Sequence, residues 1–161
     1  MENFLNTPLT SSEPFTSGII ESFGNNEKIL LVEDDLQIRT LFKAIINKVL
    51  PASDIVWVSF AEAALGSLKK SAELGESCPY LLAIVDIVLD GTMDGLQFWN
   101  RAKMIYPDLP IIITSGISND EFWKRQEISG DCPTFLPKPF FIRDCRELIQ
   151  LMVNLETNSK Y

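Results

Sequence analysis

Leu81-Leu82-Ala83-Ile84-Val85-Asp86, followed by Ile87-Val88-Leu89-Asp90-Gly91-Thr92-Met93-Asp94-Gly95, is the stretch that decides the fold. An unbroken apolar run ends in one carboxylate, and a glycine-containing loop leads on into a helical pattern. A continuous apolar run bounded by turn signals reads as a strand buried on both faces, which is the mark of a parallel sheet. In open parallel sheets ligands and chemistry collect outside the carboxyl ends of the strands. Asp86 stands at such an end and is the first candidate for a reactive residue.

Upstream, Lys28-Ile29-Leu30-Leu31-Val32 is a second buried strand that ends in Glu33-Asp34-Asp35. Ile38, Leu41, Phe42, Ile45, Ile46 and Val49 then recur at helical spacing, and Pro51 ends the stripe. Ile55-Val56-Trp57-Val58 is the next strand, and Ala61, Ala64, Leu65, Leu68 and Ala72 form a helix closed by Gly75. Downstream of Asp86, Leu96, Trp99, Ala102 and Ile105-Tyr106 mark a helix stopped by Pro107. Pro110-Ile111-Ile112-Ile113-Thr114 is a strand that ends before Ser115-Gly116, and Phe122, Trp123 and Ile128 predict a short, irregular helix. Thr134-Phe135-Leu136 leads into Pro137-Lys138-Pro139-Phe140, and Cys145, Leu148, Ile149 and Met152 mark a last helix that fades by Glu156. Strand and helix alternate five times. Such alternation predicts a parallel sheet with helices on both faces and right-handed crossovers.

A length of 161 residues suits one domain with extensions, and 46% hydrophobic residues suffice for a core. Residues 1–26, rich in Ser, Thr, Asn, Pro and Gly, read as a flexible extension or a docking arm carrying Ile19, Ile20 and Phe23. The domain is expected over 27–155, with 156–161 as a tail. The polar start lacks the basic and apolar regions of a signal peptide, and no apolar run approaches a membrane span. Cys78, Cys132 and Cys145 show no metal-ligand spacing, so a reducing cytoplasm is the expected compartment and the thiols are expected to be inert. A net charge of −8 argues against nucleic acid as a partner. With no histidine in the sequence, a His-based triad, a His-ligated metal and a phosphohistidine carried on these residues are excluded.

In a doubly wound sheet of order 2-1-3-4-5 the strand ends lie on one rim, and the switch point falls between the first and third strands. Asp34 and Asp86 then face each other, with Ser115 and Lys138 beyond Asp86. Clustered carboxylates repel unless a cation sits among them, and oxygen ligands without Cys or His select a hard ion, Mg²⁺ above all. A carboxylate beside Mg²⁺ and a lysine is a nucleophile for phosphorus, and aspartyl phosphates are a known outcome. Singly, each of these residues has a plainer reading: helix caps for Asp35, Asp86 and Ser115, a dipole partner for Glu33 and Asp34, a loop-shaping role for Asp94, and core packing for Phe135.

Leu31-Val32-Glu33-Asp34-Asp35, Val85-Asp86, Met93-Asp94-Gly95, Thr114-Ser115-Gly116 and Phe135-Leu136-Pro137-Lys138-Pro139-Phe140 resemble the receiver domain of two-component response regulators, over about residues 27 to 155. The resemblance implies a flavodoxin-like (βα)5 fold with Asp86 as phosphoacceptor. It implies Mg²⁺ held by Asp34, by Glu33 through a metal-bound water, by Asp86 and by the main-chain carbonyl of Val88. The family's acidic pair can also be fitted to Asp34-Asp35, but the register set by Ile38 and Leu41 favours Glu33-Asp34. Ser115 takes the place of the switch hydroxyl, Phe135 that of the switch aromatic, and Lys138-Pro139 that of the family's cis pair. Implied partners are a sensor histidine kinase or a histidine phosphotransfer protein, an unknown downstream protein bound through an altered surface, and a second copy of the chain. No output domain, enzymatic activity or membrane is expected. Val88 and Ile117, apolar at positions that tune dephosphorylation in the family, imply a long-lived phosphoryl group.

Two departures stand out. The loop from Asp86 to Asp94-Gly95 is one residue longer than the commonest spacing, with Asp90-Gly91 where Pro usually stands, which is expected to bring the Asp90 carboxylate near the metal. The 71–79 connection is also long. Two alternatives compete: a pseudo-receiver acting as a constitutive protein-binding module, and a hydrolase of the haloacid dehalogenase type. The latter needs a second acid two residues after the nucleophile, where Val88 stands. A flavodoxin is disfavoured because Glu33-Asp34-Asp35 would repel a flavin phosphate.

Overall fold

The computed structural model describes residues 27–125 and 132–158. The expected extension at 1–26 and the Ile128 position of the fourth helix lie outside these residues. Ten elements alternate: β1 (Lys28–Val32), α1 (Leu36–Val49), β2 (Asp54–Val58), α2 (Ala61–Glu73), β3 (Leu82–Asp86), α3 (Gly95–Ile105), β4 (Ile111–Ser115), α4 (Asn119–Arg125), β5 (Thr134–Pro137) and α5 (Ile142–Asn158). The five strands are parallel in the order β2-β1-β3-β4-β5. This is the parallel, doubly wound sheet expected from the strand–helix alternation, with the flavodoxin-like fold that the resemblance implied. α5 runs to Asn158, past the point where its apolar pattern fades in the sequence.

Local chemistry sets the boundaries. Asp35 caps α1 by accepting hydrogen bonds from the Gln37 and Ile38 main-chain N–H groups at 2.7 and 3.1 Å. The helix ends at Leu50, one residue before Pro51. α2 gives way to Gly75, whose φ of +71° suits a residue without Cβ. Asp94 and Gln97 form a reciprocal capping box at the start of α3. The long α2–β3 connection is pinned by Tyr106, whose hydroxyl donates to the Glu76 carbonyl at 3.0 Å, and by a 2.7 Å contact between the Ser67 and Tyr80 hydroxyls.

β3 and β4 are buried throughout, while the edge strand β2 is not. Alternating side chains divide the core between two faces. Val85, Ile111 and Ile113 pack with α2, α3 and Phe122 of α4, whereas Ile84, Ile112 and Leu136 pack with Phe42 and Ile46 of α1 and Cys145 and Ile149 of α5. Burial pushes the Cys145 thiol up to about 12, consistent with an inert core cysteine. Among the described residues no helix is long and apolar enough to cross a membrane.

Candidate functional site: an acidic cluster clamped by a lysine

Parallel pairing brings the strand ends together on one rim. Val32 is in register with Val85, and Asp86 with Thr114, so Glu33 leaves β1 beside Asp86 at the end of β3. One carboxylate oxygen from each of Glu33, Asp34 and Asp86 lies within 4.8 Å of the others. Glu33 and Asp86 are buried, at 1% and 7% exposure. Lys138, just past β5, reaches across β4 to both: its Nζ lies 2.5 Å from Asp86 Oδ2 and 2.8 Å from Glu33 Oε2. The Lys138-Pro139 peptide is cis, as the motif implied.

Burial raises the Glu33 pKa, opposed by the hydrogen bond and charge of Lys138 and reinforced by the charge of Asp86. Burial alone would lower that of Lys138, but the hydrogen bonds and charges of Asp86 and Glu33 outweigh it and hold the ammonium firmly protonated. Three carboxylates thus face one ammonium, and the excess negative charge is what a divalent cation would balance. Oxygen-only donors within this spacing fit a hard ion, so Glu33, Asp34 and Asp86 are the residues that could hold it.

The other residues singled out in the sequence fall around this cluster. The Val88 N–H donates to Asp86 Oδ1 at 3.1 Å. Ser115 ends β4 and is fully buried; its Oγ accepts from the Ile117 N–H at 3.3 Å, and its carbonyl accepts from the Lys138 N–H at 2.7 Å. Phe135 is half-buried and stacks on Phe122, with ring centroids 3.9 Å apart and planes within 8°. Asp35 caps α1, as its plainer reading had it, and Asp94, expected to shape the loop, caps α3. Asp90 is a correction. Its exposed carboxylate is no part of the acidic group; instead its main-chain N–H donates to Asp34 Oδ2 at 3.2 Å.

Two residues were missed in the sequence. Trp57, on the edge strand β2, donates its indole N–H to the Glu33 carbonyl at 2.7 Å, and the Arg39 guanidinium lies 3.7 Å from its ring centroid. Glu62, in the first turn of α2, binds the β3–α3 loop. Its Oε1 accepts from the Thr92 N–H (2.7 Å), the Thr92 hydroxyl (2.6 Å) and the Met93 N–H (2.9 Å). Those hydrogen bonds, led by the Thr92 hydroxyl, hold its pKa down to about 2. An acid at a helix start reads as a dipole partner, and no spacing rule ties it to a threonine in another loop. Gly91 explains its own place in the longer loop: φ is +124°, and a Cβ would lie 2.9 Å from Glu62 Oε2.

Solved structures share this architecture. A response regulator receiver protein from Sinorhizobium medicae matches with a TM-score of 0.66 at 23% identity, over 81% of this chain and 97% of that one. The receiver domain of an HD domain-containing protein from Pseudomonas fluorescens gives 0.69 at 17%, over 88% and 97%. A CheY-like receiver domain from Methanospirillum hungatei gives 0.64 at 20%, over 84% and 99%. At these identities the likeness speaks for the fold. Family membership comes from the sequence profile of the response regulator receiver domain, which matches residues 29–150. A match of that length, over the residues that build the sheet and its rim, makes the chain a member of the response regulator receiver domain family.

Proposed function

We propose that the chain is a phosphorylatable receiver that takes a phosphoryl group from a phosphohistidine partner onto Asp86 in a Mg²⁺-dependent reaction. The observation that carries this reading is Lys138 bridging Glu33 and Asp86 beside Asp34. An Asp86 carboxylate oxygen attacks phosphorus. The O–P bond forms as the P–N bond breaks, and the electron pair leaves on the imidazole nitrogen of the donor. Lys138 neutralises charge on the phosphoryl oxygens, and Ser115 can turn its hydroxyl from the Ile117 N–H towards one of them. Glu33, Asp34, Asp86 and the Val88 carbonyl would hold Mg²⁺, which supplies further charge neutralisation at the transferred group.

The donor is a sensor histidine kinase or a histidine phosphotransfer protein in the cytoplasm. The chain is not an enzyme beyond catalysing its own phosphorylation and dephosphorylation. Output is altered protein–protein binding, with a homodimer among the possible assemblies, as Ser115 moves and Phe135 repacks against Phe122. Neither Val88, 64% exposed, nor Ile117 carries a group that could orient a water, so the phosphoryl half-life is well beyond seconds.

The test is mass spectrometry after incubation with Mg²⁺ and a small phosphodonor. One phosphoryl mass is expected on the wild type and none on Asp86→Asn. An unmodified wild type, or an adduct that survives the substitution, rejects the reading.

A further inference from the structure

The β3–α3 loop, longer than usual for the family, is tied down at both ends of its excursion. On one side the Asp90 N–H meets Asp34 Oδ2 at 3.2 Å. On the other, Glu62 Oε1 gathers three donors from Thr92 and Met93 within 2.9 Å. Gly91 lies between them, in a conformation that favours glycine and against the other Glu62 oxygen. Glu62 Oε2 itself is buried and has no hydrogen-bond partner. The carboxylate is therefore committed to the loop on one oxygen and enclosed on the other, a tighter arrangement than a surface acid at a helix start requires.

We infer that Glu62 is a positioning residue for the divalent-cation site, acting through the loop on Asp34. The physical route is short. Glu62 fixes the Thr92 and Met93 amides, which fixes the loop from its far end. The loop presents the Asp90 N–H, which holds Asp34 Oδ2 and so fixes the carboxylate that converges with those of Glu33 and Asp86. Without Glu62, three donors lose their acceptor, the loop relaxes, and Asp34 samples orientations that do not converge on the cluster. Groups that orient metal ligands in this way change affinity by about 10- to 100-fold when removed. Glu62 thus lets the chain carry the additional loop residue without loss of the metal geometry. The inference rests on the proposed Mg²⁺ site.

The test compares Mg²⁺ dissociation constants by calorimetry for the wild type, Glu62→Ala, Glu62→Gln and Thr92→Val, each with a thermal melt in the absence of Mg²⁺. Glu62→Ala is expected to bind Mg²⁺ about tenfold more weakly. Glu62→Gln, which keeps an acceptor oxygen, is expected to retain most of the affinity. Thr92→Val removes one donor and leaves α2 untouched, so a severalfold loss there reads the same contact even if Glu62→Ala fails to fold. Lower melting temperatures with unchanged Mg²⁺ affinity in the folded variants would show a merely structural contact and overturn the inference alone. A wild type that binds no Mg²⁺ would overturn the functional proposal, and the inference with it.

Discussion

The ammonium of Lys138 lies 2.5 Å from Asp86 Oδ2, so the ends of β5 and β3 are joined over the top of β4, the strand between them. Removing one member of a buried ion pair leaves its partner uncompensated, at a cost of about 3–5 kcal/mol. Lys138 keeps some contact with solvent, which reduces this to about 2 kcal/mol for Lys138→Met in metal-free urea denaturation. Because partners raise the Lys138 pKa above 10.5, its contribution is complete below that pH and fades as pH rises through the higher folded value. Added Mg²⁺ is expected to restore part of the loss. Unchanged stability would mean that desolvation cancels the pairing.

Trp57 is a built-in reporter. Its indole N–H is bound to the Glu33 carbonyl, so a cation that draws in Glu33 changes the indole environment. Mg²⁺ titration should change the fluorescence, and Trp57→Phe should abolish the change while leaving the affinity intact. The same titration should stabilise the fold by about 2.7 kcal/mol at one hundred times the dissociation constant. A signal that persists in Trp57→Phe would place its source elsewhere.

Gly95 opens α3 directly against the end of β3. A Cβ there would meet the Asp86 carbonyl carbon at 2.8 Å and Ile87 Cα at 2.9 Å, and backbone atoms cannot step aside. Gly95→Ala should therefore cost about 3 kcal/mol and slow phosphorylation by displacing Asp86. Wild-type stability and phosphorylation in this variant would show that the helix start can shift.

Glu62 predicts a difference confined to acid. Its folded pKa of about 2 lies below the ordinary 4.5, so its charge stabilises the fold fully above 4.5, and that contribution is lost as pH falls from 4.5 towards 2. The melting-temperature gap between wild type and Glu62→Gln should be constant at neutral pH and close across that window. A gap that persists at pH 2 would assign the effect to packing.

Much of the fold is legible in the sequence because buried parallel strands are unbroken apolar runs and each ends in a chemically distinct residue. Val85-Asp86 and Leu136-Pro137-Lys138 are legible as strand ends that share one rim. The meeting of the β1 and β3 carboxylates follows from strand order, whereas the Glu33–Lys138 ion pair does not, because β3 and β4 lie between the strands that carry them. Nor does the Glu62 loop clamp, because it joins a helix start to a loop 30 residues away with no periodicity connecting them. Asp90 misleads for a related reason: sequence displays its carboxylate, whereas the fold uses its amide. Trp57 is hidden because an edge strand's aromatic normally reads as packing.

Alternation along the strands has a directional consequence. By their place in it, Glu33 and Asp86 belong to the α1–α5 side of the sheet, where Leu31 and Ile84 pack, whereas Ser115 and Phe135 belong to the opposite side with Ile113 and Phe122. Asp86 is in register with Thr114, and the next residue along β4 is Ser115. In the proposed reaction an event at Asp86 would pass through the sheet rather than along its surface: one peptide step leads from the side that carries Asp86 to the side that carries Ser115 and Phe135.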